Sequence, residues 1–203
     1  MERPTRVGVF LACLLPCLWV VDGVAANRLG PDPGEALMHI TGEWSLRLLA
    51  LSLLVSPLRS WTGVPWLIKL RRMLGLFAFF YACLHFGVFL QLYIGWTGAA
   101  LAEELAERPY VSAGFAAWLI MLLLAMTSTR RMRRRLGSLW TKLHKQVYSV
   151  AIMACLHLLW QARSDIGEAI VYSLVFALLL GWRVRRAWSA ENGGRPRPGT
   201  AEN

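Results

Sequence analysis

Four histidines, His39, His85, His144 and His157, are the side chains best suited to chemistry in this chain, and two of them lie deep inside apolar runs. His85 follows Arg72 by 13 residues and His157 follows Lys145 by 12. At 1.5 Å per helical residue, each sits roughly 18–20 Å from a basic flank. The two imidazoles therefore share a depth. An iron porphyrin needs one nitrogen donor on each face, and its apolar macrocycle prefers a dry site between helices. Neutral imidazole supplies the donor without adding charge to an apolar interior. The pair His85 and His157 thus predicts a bis-histidine b-type haem. Its six-coordinate iron moves electrons and keeps no vacant position for substrate. The competing reading of each histidine is a hydrogen bond to a neighbouring helix, as polar residues inside membranes make. Ionisable residues at that depth more often serve function, and two at one level favour the ligand pair.

His144 precedes His157 by 13 residues, roughly 20 Å along a continuous helix and about 220° around it. The two face different ways unless the helix bends. The matching depth beside His85 holds Arg71 and Arg72, so no second histidine pair can be assembled. His144 is read as a ligand to a second haem with a non-histidine partner, a contact to a quinone or flavin, or an interfacial residue. His39, Glu43 and Arg47 recur at i, i+4 and i+8 on one helix face. Glu43 and Arg47 have the order and spacing of a helical ion pair, and Arg47 is alternatively the partner of a haem propionate. The four cysteines, Cys13, Cys17, Cys83 and Cys155, form no C-x-x-C pattern and read as reduced packing residues. With no glycine-rich nucleotide loop and no Ser-His-Asp set, the sequence offers no catalytic residue of its own.

The elements that must position these groups are apolar. Of 203 residues, 56% are hydrophobic and 17% charged, against roughly 25% charged in an average soluble domain. Spanning helices of about 20 residues are expected near residues 7–24, 41–58, 73–93, 111–127, 143–162 and 166–182. The fold class is all-α: a polytopic six-helix transmembrane bundle, with residues 1–188 as a single haem-binding domain and 189–203 as a disordered cytoplasmic tail. Lys and Arg number 22 against 12 Asp and Glu, a formal charge of +10. Eighteen of those 22 fall on one side of the alternating topology, which places both termini in the cytoplasm. The run Arg130 to Arg135 is explained by that rule, and nucleic acid is not an expected partner. The first apolar run has features of a secretory signal but is read as a retained helix.

Three ordered motifs carry a resemblance. His39 to Trp44 (HITGEW), Arg71 to Gly75 (RRMLG) leading to Tyr81 to His85 (YACLH), and Trp140 to Tyr148 (WTKLHKQVY) leading to His157 to Trp160 (HLLW) resemble the MsrQ (YedZ) family. These are haem-binding membrane subunits of the protein-methionine-sulfoxide reductase system, within the ferric-reductase-like transmembrane group. The resemblance implies a bacterial inner-membrane protein with b-type haem, one or two per chain, and FMN in some members. It implies electron flow from the quinone pool or a cytoplasmic flavin reductase to a periplasmic molybdopterin-dependent (MsrP-type) catalytic subunit, which repairs oxidised proteins. By motif, His85, His144 and His157 match the haem-associated histidines. Two other functions compete: a stand-alone ferric or quinone reductase, and a haem-free transporter or assembly protein.

Overall fold

The computed structural model describes residues 2–162 and 166–193, which form nine α-helices and no strand. In order these are α1 (Glu2–Ala25), α2 (Pro33–Thr62), α3 (Ile68–Phe89), α4 (Gly98–Glu107), α5 (Pro109–Met126), α6 (Arg130–Leu136), α7 (Ser138–His144), α8 (Val147–Gln161) and α9 (Ile166–Gly193). A 3-10 turn, Pro65–Leu67, leads into α3, and a π turn, Leu90–Ile94, follows it. Local chemistry sets several boundaries. At the start of α2 the Asp32 side chain accepts the Glu35 amide at 2.9 Å, and Pro33 occupies the first turn, where its missing N–H costs nothing. Gly63 closes the same helix with φ +68°, a left-handed conformation natural to glycine, and returns its N–H to the Arg59 carbonyl.

Among the described residues, four stretches are long and apolar enough to cross a membrane: Pro4–Ala25, Pro65–Ile94, Pro109–Met126 and Ile166–Ala190. Two of the six expected spans fall short of that measure. Helix α2 has 30 residues, but Glu43 and Arg47 interrupt one half of it and Pro57 and Arg59 the other. Helix α8 has only 15 residues. Its expected start near Leu143 is displaced because the chain turns at Lys145 and Gln146. There the Gln146 amide bonds Leu143 and the Tyr148 amide bonds Lys145, three residues back, so the α-helical ladder breaks between α7 and α8. His144 and His157 consequently stand on different helices. At the far end α9 continues through residues 189–193, where the tail was expected to begin. The remainder of that tail, 194–203, lies outside the described residues, as does Arg163.

Helix α2 packs most extensively on α3, and α5 on α8; α9 leans on α8 and α2, while α1 covers α3. Lipid gives apolar side chains no reason to leave it, so small residues and interhelical hydrogen bonds must hold these pairs. The Ser45 hydroxyl donates to the Ala78 carbonyl and the Ser52 hydroxyl to the Arg71 carbonyl, each at 3.0 Å, joining α2 to α3. Tyr81 is fully buried between α3 and α1. Its hydroxyl donates to the Cys13 carbonyl at 2.8 Å and accepts the Cys17 amide at 2.9 Å, bridging one turn of α1 at Pro16, the proline that interrupts that helix. On α9, Arg183 donates to the Tyr148 hydroxyl at 2.7 Å, the Ser56 hydroxyl at 2.9 Å and the Leu53 carbonyl at 3.1 Å, tying α9 to α8 and α2. All four cysteines are free thiols among the described residues.

Candidate functional site

His85 projects from α3 and His157 from α8, and their ring centroids lie 6.2 Å apart with the ring planes crossed at 87°. Each ring is oriented by a backbone carbonyl of another helix. His85 Nδ1 donates to the Met38 carbonyl of α2 at 2.9 Å, and His157 Nδ1 donates to the Tyr110 carbonyl of α5 at 2.7 Å. A carbonyl only accepts, so the proton sits on Nδ1 of both rings. Each Nε2 then carries a lone pair, the state in which imidazole binds a metal.

Both rings line a cavity of about 620 Å³ walled mainly by α2, α3, α5 and α8, with Glu168 and Ala169 of α9 at its edge. Leu46, Ala82, Phe86, Ala117, Trp118 and Met121 contribute apolar wall. Toward one end the lining turns polar, with Asp32, Glu35, His39, Arg108 and Glu168. The volume is within the range of cofactor sites. The ring separation also suits a shared metal. An imidazole–metal bond of about 2.0–2.1 Å, with roughly 1.1 Å more from nitrogen to ring centroid, puts two opposed ligand rings about 6.3 Å apart. Among the described residues no three His, Cys, Asp or Glu side chains gather into a metal cluster, so the donor set is this pair. Two neutral nitrogens facing an apolar cavity fit a haem.

The structure places the other predicted residues differently. Arg47 pairs with Glu43, donates from Nε to the Tyr172 hydroxyl at 3.1 Å and lies over the Trp44 ring at 5.0 Å. It does not line the cavity; the ion pair expected from its spacing is what forms. His39 is exposed, with Nε2 3.2 Å from Glu168 Oε2. His144 closes α7, stacked on Trp140 with centroids 4.0 Å apart and Nδ1 donating to the Trp140 carbonyl at 3.2 Å. Several groups of the site escaped the sequence reading: the carbonyls of Met38 and Tyr110, Gly42 and Gly114 beneath the rings, and Arg108. Arg108 is held by Glu104 at 3.2 Å and by the Tyr110 hydroxyl at 3.4 Å.

Residues 41–155 match the family described as ferric reductase like transmembrane component. Over 172 residues, 85% of this chain and 79% of the relative, the chain is 44% identical to the protein-methionine-sulfoxide reductase heme-binding subunit MsrQ of Xanthomonas axonopodis pv. citri (strain 306). Over 195 residues, 95% of this chain and 90% of the relative, it is 42% identical to the subunit of the same name from Ralstonia nicotianae. The chain belongs to the MsrQ family. No solved structure matches it. The segment matched by the ferric-reductase description contains Gly42, His85, Tyr110 and Gly114, so most of the cavity wall falls inside it.

Proposed function

We propose that this chain is the haem-bearing, electron-transferring membrane subunit of a protein-methionine-sulfoxide reductase, with one b-type haem held between His85 and His157. The observation that carries the reading is the pair of adjacent imidazoles, ring centroids 6.2 Å apart and planes crossed, each with its Nδ1 proton given to a backbone carbonyl. When bound, the group supplies one-electron exchange at its iron. The protein's part is to bind and orient. The Met38 and Tyr110 carbonyls fix the tautomer and rotation of the two rings, while the apolar wall of α2, α3, α5 and α8 keeps water away. His85 Nε2 and His157 Nε2 would together hold the iron and leave it no open position, so this chain would pass electrons and sulfoxide reduction would fall to a separate catalytic subunit.

The finer assignments follow from the same reading. The chain spans the bacterial inner membrane six times with both termini cytoplasmic. Helices α2 and α8 count as spans because they carry the cavity, and α8 covers roughly 22 Å at 1.5 Å per residue. The basic helices α6 and α7 and the Lys69 to Arg72 flank of α3 mark the cytoplasmic side. Electrons enter from the quinone pool or a cytoplasmic flavin reductase and leave to a periplasmic molybdopterin-dependent partner of MsrP type. What supports that route is the word subunit in the relatives' names together with the sequence resemblance. A second haem would fall to His144, and no residue is assigned to FMN.

The test is optical. Purified His85→Ala and His157→Ala chains are expected to lose the six-coordinate low-spin spectrum of the parent. Unchanged Soret, alpha and beta bands in both would overturn the ligand assignment.

A further inference from the structure

The two imidazoles are held by one local device that occurs twice in the chain. In both cases the accepting carbonyl lies 47 residues before the histidine, Met38 for His85 and Tyr110 for His157. In both cases the residue four positions after that carbonyl is a glycine, Gly42 on α2 and Gly114 on α5. Each glycine lies directly against the ring. A Cβ on Gly42 would stand 3.0 Å from His85 Nδ1 and 3.1 Å from its Cε1; on Gly114 it would stand 2.8 Å from His157 Nδ1 and 3.0 Å from its Cε1. Gly23 and Gly34 are as tightly covered, by Leu29 at 2.7 Å and Leu92 at 2.8 Å, but among the described residues no other glycine lies against a ring. Gly75 would meet only the Ser52 hydroxyl at 3.5 Å, and Gly87 meets nothing within 4 Å.

Helix geometry explains why a glycine belongs there. The Cα–Cβ bond tilts toward the helix N-terminus, so a side chain covers the turn before it, including the carbonyl four residues earlier. That carbonyl has two lone pairs, and the helix uses one. With hydrogen in place of Cβ, the second lone pair is open to a side chain from the next helix. We propose that Gly42 and Gly114 are paired positioning residues of the haem site: each uncovers the carbonyl that locks one axial imidazole. The packed helix pairs α2–α3 and α5–α8 are then equivalent halves, each delivering one histidine with its own glycine and carbonyl. The proposal rests on the reading of His85 and His157 as the axial pair.

The test compares the full chain carrying Gly42→Ala or Gly114→Ala with wild type and with the controls Gly75→Ala and Gly87→Ala. Haem retention and the haem midpoint potential are the readouts. Gly114→Ala is expected to weaken haem retention on the order of 10-fold, as loss of an outer partner of a metal-ligating histidine does. Its midpoint should rise, because an imidazole relieved of its carbonyl bond donates less to ferric iron. Gly42→Ala should shift both quantities in the same direction by less, since its contact is looser. The controls should match wild type. Equal retention and potential in both alanine variants, or equal losses in the controls, would overturn the proposal. A wild-type chain without six-coordinate low-spin haem defeats the underlying reading instead, and is recognised before any glycine is changed. Should the alanine variants not assemble, the wild-type chain decides by electron–nuclear double resonance. Carbonyl-held Nδ1 protons on both axial rings persist after transfer to D2O, and their prompt loss from both contradicts the proposal.

Discussion

His144 stacks on Trp140 and gives its Nδ1 proton to the Trp140 carbonyl, one turn back in its own helix, whereas His85 and His157 reach carbonyls on other helices. All three rings have the same tautomer, and Nε2 of His144 is buried without a hydrogen-bond partner among the described residues. The donor chemistry is therefore alike in the two regions, and the surroundings differ. His144 finds its orientation locally, at the end of a seven-residue helix beside a break. His85 and His157 are oriented only when α2 has docked on α3 and α5 on α8, and between them lies a cavity that His144 does not line. On the proposed reading, a nitrogen lone pair alone would not hold a haem; a second donor at the right span beside an apolar cavity would.

That contrast can be broken or sharpened by substitution. The largest effect is expected from His85→Ala or His157→Ala, either of which should remove the central haem entirely, read as pigment per polypeptide. Next comes Tyr81→Phe, which deletes both hydrogen bonds that join α3 to α1. It should cost about 1–2 kcal/mol of stability in a detergent melt, with the haem spectrum unchanged. A smaller shift is expected from Arg108→Gln. This arginine lines the cavity beside its partner Glu104, and losing its positive charge favours ferric iron, so the midpoint potential should fall; Arg47→Gln, paired likewise with Glu43 but outside the cavity, should move it less. The smallest effect on the central haem belongs to His144→Ala, which should leave its bands in place. If wild type carries two haems by pyridine haemochrome, the same variant should carry one, which would give His144 the second.

The common depth of His85 and His157 was legible in the sequence because helical rise converts residue count into height, and basic flanks mark the membrane edge. The Glu43–Arg47 pair was legible for the same geometric reason. Their outer contacts were not, since Tyr172, Met38 and Tyr110 reach them through tertiary packing that no local pattern records. The glycines did leave a trace: Gly42 and Gly114 stand at the same distance ahead of His85 and His157, a repeat that gains meaning only once the rings are seen resting on them. The break before α8 was hidden because Lys145 and Gln146 sit inside a stretch whose apolar neighbours carry the helical period. Charges within α2, and the shortness of α8, leave four apolar spans among the described residues where six were expected.

Electron paramagnetic resonance of the oxidised wild-type chain tests the central claim most directly, because it reports the axial ligands of the iron itself. Two histidines on one haem, with planes crossed as the 87° between these rings requires, predict a low-spin ferric signal with the large g anisotropy of perpendicular imidazoles. A high-spin signal from iron with an open position, or a chain that purifies without haem, would contradict it.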